Sequence, residues 1–272
     1  MTELIEANGL QFYVRDQGSG IPVILLHGFP DTGDLWRNQV PALNTSGFRT
    51  IVPDMRGRGR SSKPDDVAAY GISSIVRDVT GIMDALGIER AHVIGHDWGA
   101  AVAWVLAAVA PKRVDRLVAI SVGLPGAPGK PTLEEFQKGW YGLMFLFEGV
   151  AEELLQHDDW FLFRLLLGGA KDTQAYVKTL SKPGALTPAL NWYRALPLRS
   201  LLGRVGGPQL PRIKANTLGI WSTGDLYLTE EVMTRSHQGV QGSWRYERFE
   251  GSHWVPLDQP DRLNRLLIEF LS

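Results

Sequence analysis

The sequence predicts an α/β fold: a mostly parallel sheet with helices on both faces and a helical segment inserted between two strands. Three observations carry that prediction. The apolar runs Ile21 to Leu26, Thr50 to Val52 and Leu117 to Ile120 lack the polar alternation of a half-exposed sheet, so they read as interior parallel strands. Helical patterns lie between the strands, notably Ile75 to Leu86, which stops at Gly87. Between Leu124 and about Leu210 the strand signals nearly vanish, and Glu134 to Leu196 reads as helical and aromatic-rich. The expected organisation is a core of residues 1–123 and 211–272, interrupted by a helical cap at 124–210.

Each element has a local cause. Leu10 to Val14 follows Asn8-Gly9 and precedes Gly18-Ser19-Gly20, which suggests a hairpin of edge strands. The strand Ile21 to Leu26 runs into the turn His27-Gly28-Phe29-Pro30, and Thr50 to Val52 runs into Pro53-Asp54. The loop that follows interleaves Arg56, Arg58 and Arg60 with Gly57 and Gly59. It reads as a solvated turn, because neither a lysine-serine ending nor a dinucleotide fingerprint marks a phosphate site. Ala91 to Ile94 is a buried strand, and Ala100 to Ala110 a buried helix stopped by Pro111. Leu117 to Ile120, Thr217 to Trp221 and Trp244 to Phe249 complete the sheet. Pro125, Pro128 and Pro131 open the insertion as a loop, and the glycine- and proline-rich stretch Gly203 to Pro211 returns the chain to the sheet. No internal repeat or low-complexity tract interrupts this pattern.

Composition narrows the function. With 272 residues and 44% hydrophobic content the chain can bury a substantial core. Its 28 basic and 29 acidic residues nearly cancel, so no global field favours nucleic acid or an anionic membrane, and neutral substrates fit better. The absence of cysteine excludes disulfides, thiol catalysis and zinc-thiolate sites, and is compatible with a reducing cytosol. Met1 to Glu6 has neither the basic nor the apolar region of a secretory signal. The longest apolar stretch, Gly99 to Pro111, is about half the ~20 residues that span a bilayer and reads as a core helix. A cytoplasmic location is expected.

The run Gly95-His96-Asp97-Trp98-Gly99 lies between the buried strand and the buried helix. It has the form of a nucleophile elbow, a sharp strand-to-helix turn whose small flanking residues relieve backbone crowding, with aspartate at the nucleophile's position. A carboxylate there attacks a saturated carbon and forms an ester, so the expected substrates are epoxides or alkyl halides. The ester must then be hydrolysed, which calls for a base, and histidine suits that task near neutrality. Of the six histidines, His253 follows the last strand at the carboxyl edge of the sheet, where the elbow also emerges. His27 and His96 adjoin turns already assigned, and His92, His157 and His237 lack a motif. Asp225 follows the strand Thr217 to Trp221 at the same edge and is the candidate to orient the base; Ser121-Val122-Gly123, after the preceding strand, offers no acid. An ester step also needs backbone donors for its oxyanion, here the N–H groups of Trp98, after the nucleophile, and Phe29, after the first parallel strand.

With these motifs in place, the chain resembles the α/β-hydrolase-fold epoxide hydrolases of the soluble type. The resemblance covers nearly the whole sequence: His27 to Pro30, Asp54 to Ser61, the elbow, and Gly251 to Trp254, with Asp97, Asp225 and His253 in the family's order. It implies two cap tyrosines that hold the epoxide oxygen. Tyr193, in Leu190-Asn191-Trp192-Tyr193-Arg194, matches one; Tyr141, eight residues before Gly149, matches the other. The chain departs from the family's pattern at Gly142, where a larger side chain is common, and at Phe147-Glu148, which lacks the usual proline before Gly149. The implied activity is hydrolysis of a small apolar epoxide by water to a vicinal diol, with no cofactor and no metal. Aromatic residues of the insertion, including Trp140, Phe145, Phe147, Trp160, Phe161 and Phe163, suggest an apolar lid.

Rival readings are a haloalkane dehalogenase with the same Asp97 and histidine, and a non-catalytic ligand-binding protein on the same scaffold. One common dehalogenase arrangement has asparagine where Phe29 stands, a fluoroacetate-type enzyme carries arginine where Trp98 stands, and a serine esterase needs a serine in the elbow. The oligomeric state has no signature in the sequence.

Overall fold

A computed structural model describes residues 2–196 and 210–272. Eight strands form one sheet: β1 (Thr2–Ala7), β2 (Leu10–Gly18), β3 (Ile21–Leu26), β4 (Phe48–Pro53), β5 (Ala91–His96), β6 (Val114–Ile120), β7 (Asn216–Gly224) and β8 (Trp244–Ser252). Their spatial order is β1-β2-β4-β3-β5-β6-β7-β8. From β4 to β8 every neighbouring pair is parallel, whereas β1 with β2 and β2 with β4 are antiparallel. Parallel strands need crossovers, and helices α1 (Gln39–Thr45), α2 (Ile72–Ala85) and α3 (Trp98–Val109) supply the first three. Every residue of β5 is buried, and α3 is buried along most of its length, which explains the unbroken apolar pattern of both.

The N-terminal hairpin differs from the expected pair of edge strands. Only β1 lies at the edge, because β2 continues to Gly18 and pairs with β4. The polar residues after Val14 are satisfied within the sheet: Arg49 grips Asp16 through two hydrogen bonds of 2.9 and 2.6 Å.

Between β6 and β7 the described residues form α4 (Leu133–Lys138), α5 (Trp140–Met144), α6 (Val150–Leu166), α7 (Thr173–Leu180) and α8 (Leu186–Arg194). Helix α6 consists of two pieces across a non-helical break at His157 to Trp160. Of the glycine- and proline-rich return to the sheet, residues 203–209 lie outside the described residues. The insertion is tied together by Arg194, which donates to both carboxylate oxygens of Glu152 at 2.8 Å and to Phe145 O at 2.9 Å. It is tied to the strand loops by the Trp192 indole, donating to Arg56 O at 2.9 Å, and by Tyr176, donating to Asp31 at 2.6 Å.

Two expectations are corrected here. The lid is formed by only part of the aromatic set: Phe145 and Phe163 face inward and Trp160 packs on Phe163, but Trp140, Phe147 and Phe161 are 49, 64 and 61% exposed. Trp140 and Phe161 lie on outward faces of α5 and α6, and Phe147 lies in the turn between those helices. The arginine-glycine loop is not a solvated turn, since Arg56 and Arg58 are buried, Arg56 by a paired carboxylate on α2, Asp78, at 2.6 Å. Among the described residues no helix is long and apolar enough to cross a membrane.

The crossing of α3 over β3 depends on Gly99, where an added Cβ would lie 2.1 Å from Leu26 O. That contact is with backbone and cannot rotate away. Gly99→Ala is therefore expected to destabilise the fold by about 1–3 kcal/mol or more, read as a lower urea midpoint at unchanged slope; an unchanged midpoint would refute the close-approach argument.

Candidate active site

The turn between β5 and α3 holds Asp97 at φ 54° and ψ −124°, a conformation that costs free energy for a non-glycine residue and survives only when its surroundings enforce it. They do. The Asp97 N–H donates to Ile120 O at 3.2 Å, and its carbonyl accepts from Ala100 and Ala101 at 2.9 and 3.1 Å, starting α3. At Gly95 a Cβ would lie 2.3 Å from Gly99 O, so the turn closes only over glycine. The carboxylate stands 8% exposed at the carboxyl edge of the sheet.

The loop after β3 comes to meet it. A Cβ at Gly28 would lie 2.2 Å from Asp97 Oδ1, so this position must be glycine for Phe29 N–H to reach that oxygen, which it does at 2.7 Å. His27 anchors the loop: its Nε2 accepts from Met55 N–H at 2.9 Å, so Nδ1 carries the proton and donates to Gly28 O at 3.1 Å. Burial pushes His27 down to about 4, which keeps that neutral tautomer. Trp98 is the first residue of α3, where a backbone N–H has no acceptor within the helix.

Asp225 follows β7 and His253 follows β8, and the parallel pairing of the two strands places both beside Asp97. Asp225 Oδ1 accepts from the N–H groups of Tyr227 and Leu228 at 2.9 and 3.0 Å, while Oδ2 accepts from His253 Nδ1 at 2.8 Å. His253 Nε2 then faces Asp97 Oδ2 at 3.5 Å. Burial alone would lower His253, but the charge and hydrogen bond of Asp225, joined by those of Asp97, outweigh it and push the imidazole up to about 10. Burial would likewise raise Asp97, yet the hydrogen bond and charge of His253 hold it below the usual carboxylate range. The other histidines have different surroundings. His96 donates from Nε2 to His253 O at 2.9 Å and is pushed to about 4 by burial and the nearby His253 charge, so it holds His253 in place as a neutral group. His157 and His237 are exposed, and His92 lies at the opposite end of β5.

Tyr141 on α5 and Tyr193 on α8 line the same cavity as Asp97 and His253, with ring centroids 6.0 Å apart. Tyr193 packs edge-on against Trp98 at 5.1 Å and Phe29 at 5.6 Å. Burial, reinforced by Asp97 among other neighbours, pushes both phenols upward, so both stay protonated and able to donate. The cavity is about 30 Å³, near one water's share of liquid volume. All seven residues singled out in sequence therefore fall around one cleft. Among the described residues no group of three or more His, Cys, Asp or Glu side chains is arranged to hold a metal ion.

Sequence reasoning did not single out Asp31 or Tyr227. Asp31 is buried behind the cleft, accepts from Tyr176 and from the Trp254 indole at 2.6 and 3.2 Å, and is pushed up to about 7 by burial. Its position directly after Phe29-Pro30 was the available signal. Tyr227 lines the cavity, packs on His253 at 5.0 Å and donates to Leu166 O, an interaction across 61 residues that no local pattern announces.

Comparison with known proteins identifies the family to which this fold belongs. Residues 21–260 match the family described as alpha/beta hydrolase fold. AB hydrolase superfamily protein YfhM of Bacillus subtilis is 31% identical over 99% of this chain and 97% of its own length. Epoxide hydrolase A of Mycobacterium tuberculosis is 30% identical over 99% of this chain and 96% of its own. The crystal structure of epoxide hydrolase A from Mycobacterium thermoresistibile superposes with a TM-score of 0.82 at 28% identity, covering 100% of this chain and 98% of that one.

The imidazole between two carboxylates makes a measurable claim. His253 is expected to titrate near 10 by NMR, against an ordinary value of 6.5. Asp97→Asn, which removes one of the two negative charges, is expected to move it down toward the ordinary range. Since the folded value is raised, protonated His253 stabilises the fold fully below the ordinary value, and that contribution is lost as pH rises through the folded one. The Asp97→Asn protein should lose it at lower pH. An unshifted His253 in the wild type, or one that ignores Asp97→Asn, would contradict the geometry.

Proposed function

This chain belongs to the α/β-hydrolase family, and from that premise we propose that it is an epoxide hydrolase working through a covalent aspartyl ester. The observation that carries the reading is the convergence of two phenol donors and one carboxylate on a single cavity. The names of the mycobacterial relatives support it. In this reading residues 124–210 act as the cap and 1–123 with 211–272 as the core; the cysteine-free chain works in the cytoplasm on an apolar epoxide.

Tyr141 and Tyr193 hydrogen-bond the epoxide oxygen while Asp97 attacks a ring carbon. The attacking atom is Oδ2, because Oδ1 already accepts from Phe29 N–H. The C–O bond of the ring breaks as the ester bond forms, and the developing alkoxide takes a proton from the phenol side of the cleft. Esterification removes the charge of Asp97, one of the groups that raise His253. The imidazole gives up its proton more readily at that stage, restoring the one the phenol lost, and becomes the base for the second step. Neutral His253, oriented by Asp225, then deprotonates a water that attacks the ester carbon, and Oδ1 carries the oxyanion against the N–H groups of Phe29 and Trp98. The tetrahedral intermediate collapses with cleavage of the Cγ–Oδ2 bond, the departing alkoxide takes the proton of the newly added hydroxyl to complete the diol, and Asp97 returns as a carboxylate beside protonated His253. The cavity is too small for a bulky epoxide as it stands, so binding requires the aromatic side chains of the cap to move aside. Dehalogenation with the same nucleophile has no use for a pair of phenols, and Phe29 stands where one common dehalogenase arrangement has asparagine.

Two experiments test the proposal. A single turnover in oxygen-18 water is expected to label the Asp97 peptide, because water attacks the ester carbon and its oxygen stays in the carboxylate. Label confined to the diol would mean direct attack on the epoxide and no ester. Separately, Tyr141→Phe and Tyr193→Phe are each expected to slow alkylation of Asp97, and the double variant to lose on the order of 10²–10⁴-fold, with hydrolysis of a preformed ester intact. Pre-steady-state kinetics with an aryl epoxide resolve the steps; wild-type alkylation by the double variant would reduce the tyrosines to cap packing.

A further inference from the structure

The arginine-glycine loop after β4 carries a charge that this reaction does not use. Arg58 is 4% exposed, yet among the described residues its guanidinium donates only from Nη2, to Ala189 O at 3.2 Å, while Nη1 has no hydrogen-bond partner. Arg56, two residues earlier, shows what a satisfied buried arginine looks like here: it bonds both oxygens of Asp78 at 2.8 and 2.6 Å and Ala69 O at 2.6 Å. Among the described residues no carboxylate pairs directly with Arg58, and burial draws it down to about 10 against the longer-range pull of Tyr193, Asp97 and Asp31.

Arg58 lies on the wall of a cavity of about 340 Å³ at the seam between the strand loops and the α7–α8 turn. This is not the catalytic cleft. The two share Pro30, but Asp97, His253 and the tyrosine pair line only the cleft, and Arg58 only the seam cavity. Five cations, Arg15, Arg58, Arg60, Lys63 and Lys182, stand on the seam wall with three carboxylates. The carboxylates are already engaged. Asp54 accepts from the N–H groups of Gly33 and Arg60 at 2.9 and 3.0 Å, Asp34 from Arg15 at 2.7 Å, and Asp31 from Tyr176 and Trp254. Lys63 is lowered by burial and, against the pull of Asp54, by repulsion from Lys182.

We propose that the seam cavity is a second ligand site that takes a small organic carboxylate, its charged group set against Arg58 and Lys182. The planar guanidinium fork suits a carboxylate better than a spherical ion. The volume exceeds that of an inorganic anion, and Leu180, Pro183, Ala185 and the Tyr13 ring supply surface for a carbon body. The Arg58 guanidinium carbon lies 5.0 Å from the Phe29 ring centroid. A ligand held there braces the loop whose N–H fixes Asp97 and joins that loop to the α7–α8 turn. The inference does not depend on the epoxide reading.

The test is titration calorimetry of succinate into the full chain at low ionic strength, with potassium chloride of equal ionic strength as the control. Saturable one-to-one binding is expected in the wild type. Arg58→Met is expected to weaken it about tenfold, as loss of a charge-assisted pair does. Lys182→Gln, an exposed change that leaves the fold alone, should also weaken it measurably and decides the matter if Arg58→Met does not fold. Inorganic phosphate, which lacks the carbon body, is expected to bind more weakly than succinate. Absence of saturable binding, or wild-type affinity in both variants, overturns the site; phosphate as tight as succinate overturns the carboxylate assignment.

Discussion

The hydrogen bond from Phe29 N–H to Asp97 Oδ1 is the contact around which the rest of the site is arranged. It joins the loop after β3 to the turn after β5, two strands adjacent and parallel in the middle of the sheet, so its length is set by the register of Val23 to Leu26 against His92 to Gly95. Gly28 admits the approach, and the Met55–His27–Gly28 hydrogen bonds keep the donor from swinging away. The unfavourable dihedrals at Asp97 are held by the same elements, with the folding free energy of the sheet opposing their relaxation. A side chain in a flexible loop could not be held to this geometry.

Electrostatics divide three buried histidines by what stands beside them. His27 and His96 have carbonyl or amide partners and are driven to about 4 by burial, so each is a neutral fixture with a defined tautomer. His253, equally buried, lies between two carboxylates and is driven the other way. Burial has the same sign in all three, and the neighbouring charge decides the outcome. The helical insertion is held by comparable means. Arg194, next to Tyr193, reaches Glu152 and Phe145 O, so the helix carrying one tyrosine is bound to the segment that follows the other.

The architecture and the grouping of the candidate site residues were legible because both rest on local patterns. Apolar runs marked the parallel strands, paired glycines marked the elbow, and the positions of Asp225 and His253 after strands placed them at one edge. What was not legible depends on distant partners. The strand read as ending at Val14 continues to Gly18, where Arg49, on another strand, satisfies Asp16. Arg56 and Arg58 read as solvated until Asp78 and the α8 backbone are seen to cover them. Exposure of Trp140, Phe147 and Phe161 could not be told from the burial of Phe145 and Phe163, since aromatic content alone does not say which side of a helix or turn faces inward.

The two oxygens of Asp97 are made inequivalent before any substrate arrives. Oδ1 is committed to a backbone donor, and Oδ2 faces the imidazole at 3.5 Å, beyond a strong hydrogen bond but within strong charge interaction. On the proposed route this asymmetry assigns the atoms. The oxygen left free is the one that forms the ester, and the oxygen already bound is the one that carries negative charge when water adds. The donor therefore needs no reorganisation at the second step, which is the condition under which a preorganised dipole contributes most to lowering a barrier. A serine in the same elbow would present a single oxygen, and that oxygen would have to be the nucleophile. On the proposed route the carboxylate can serve both roles because its two oxygens are held by different partners.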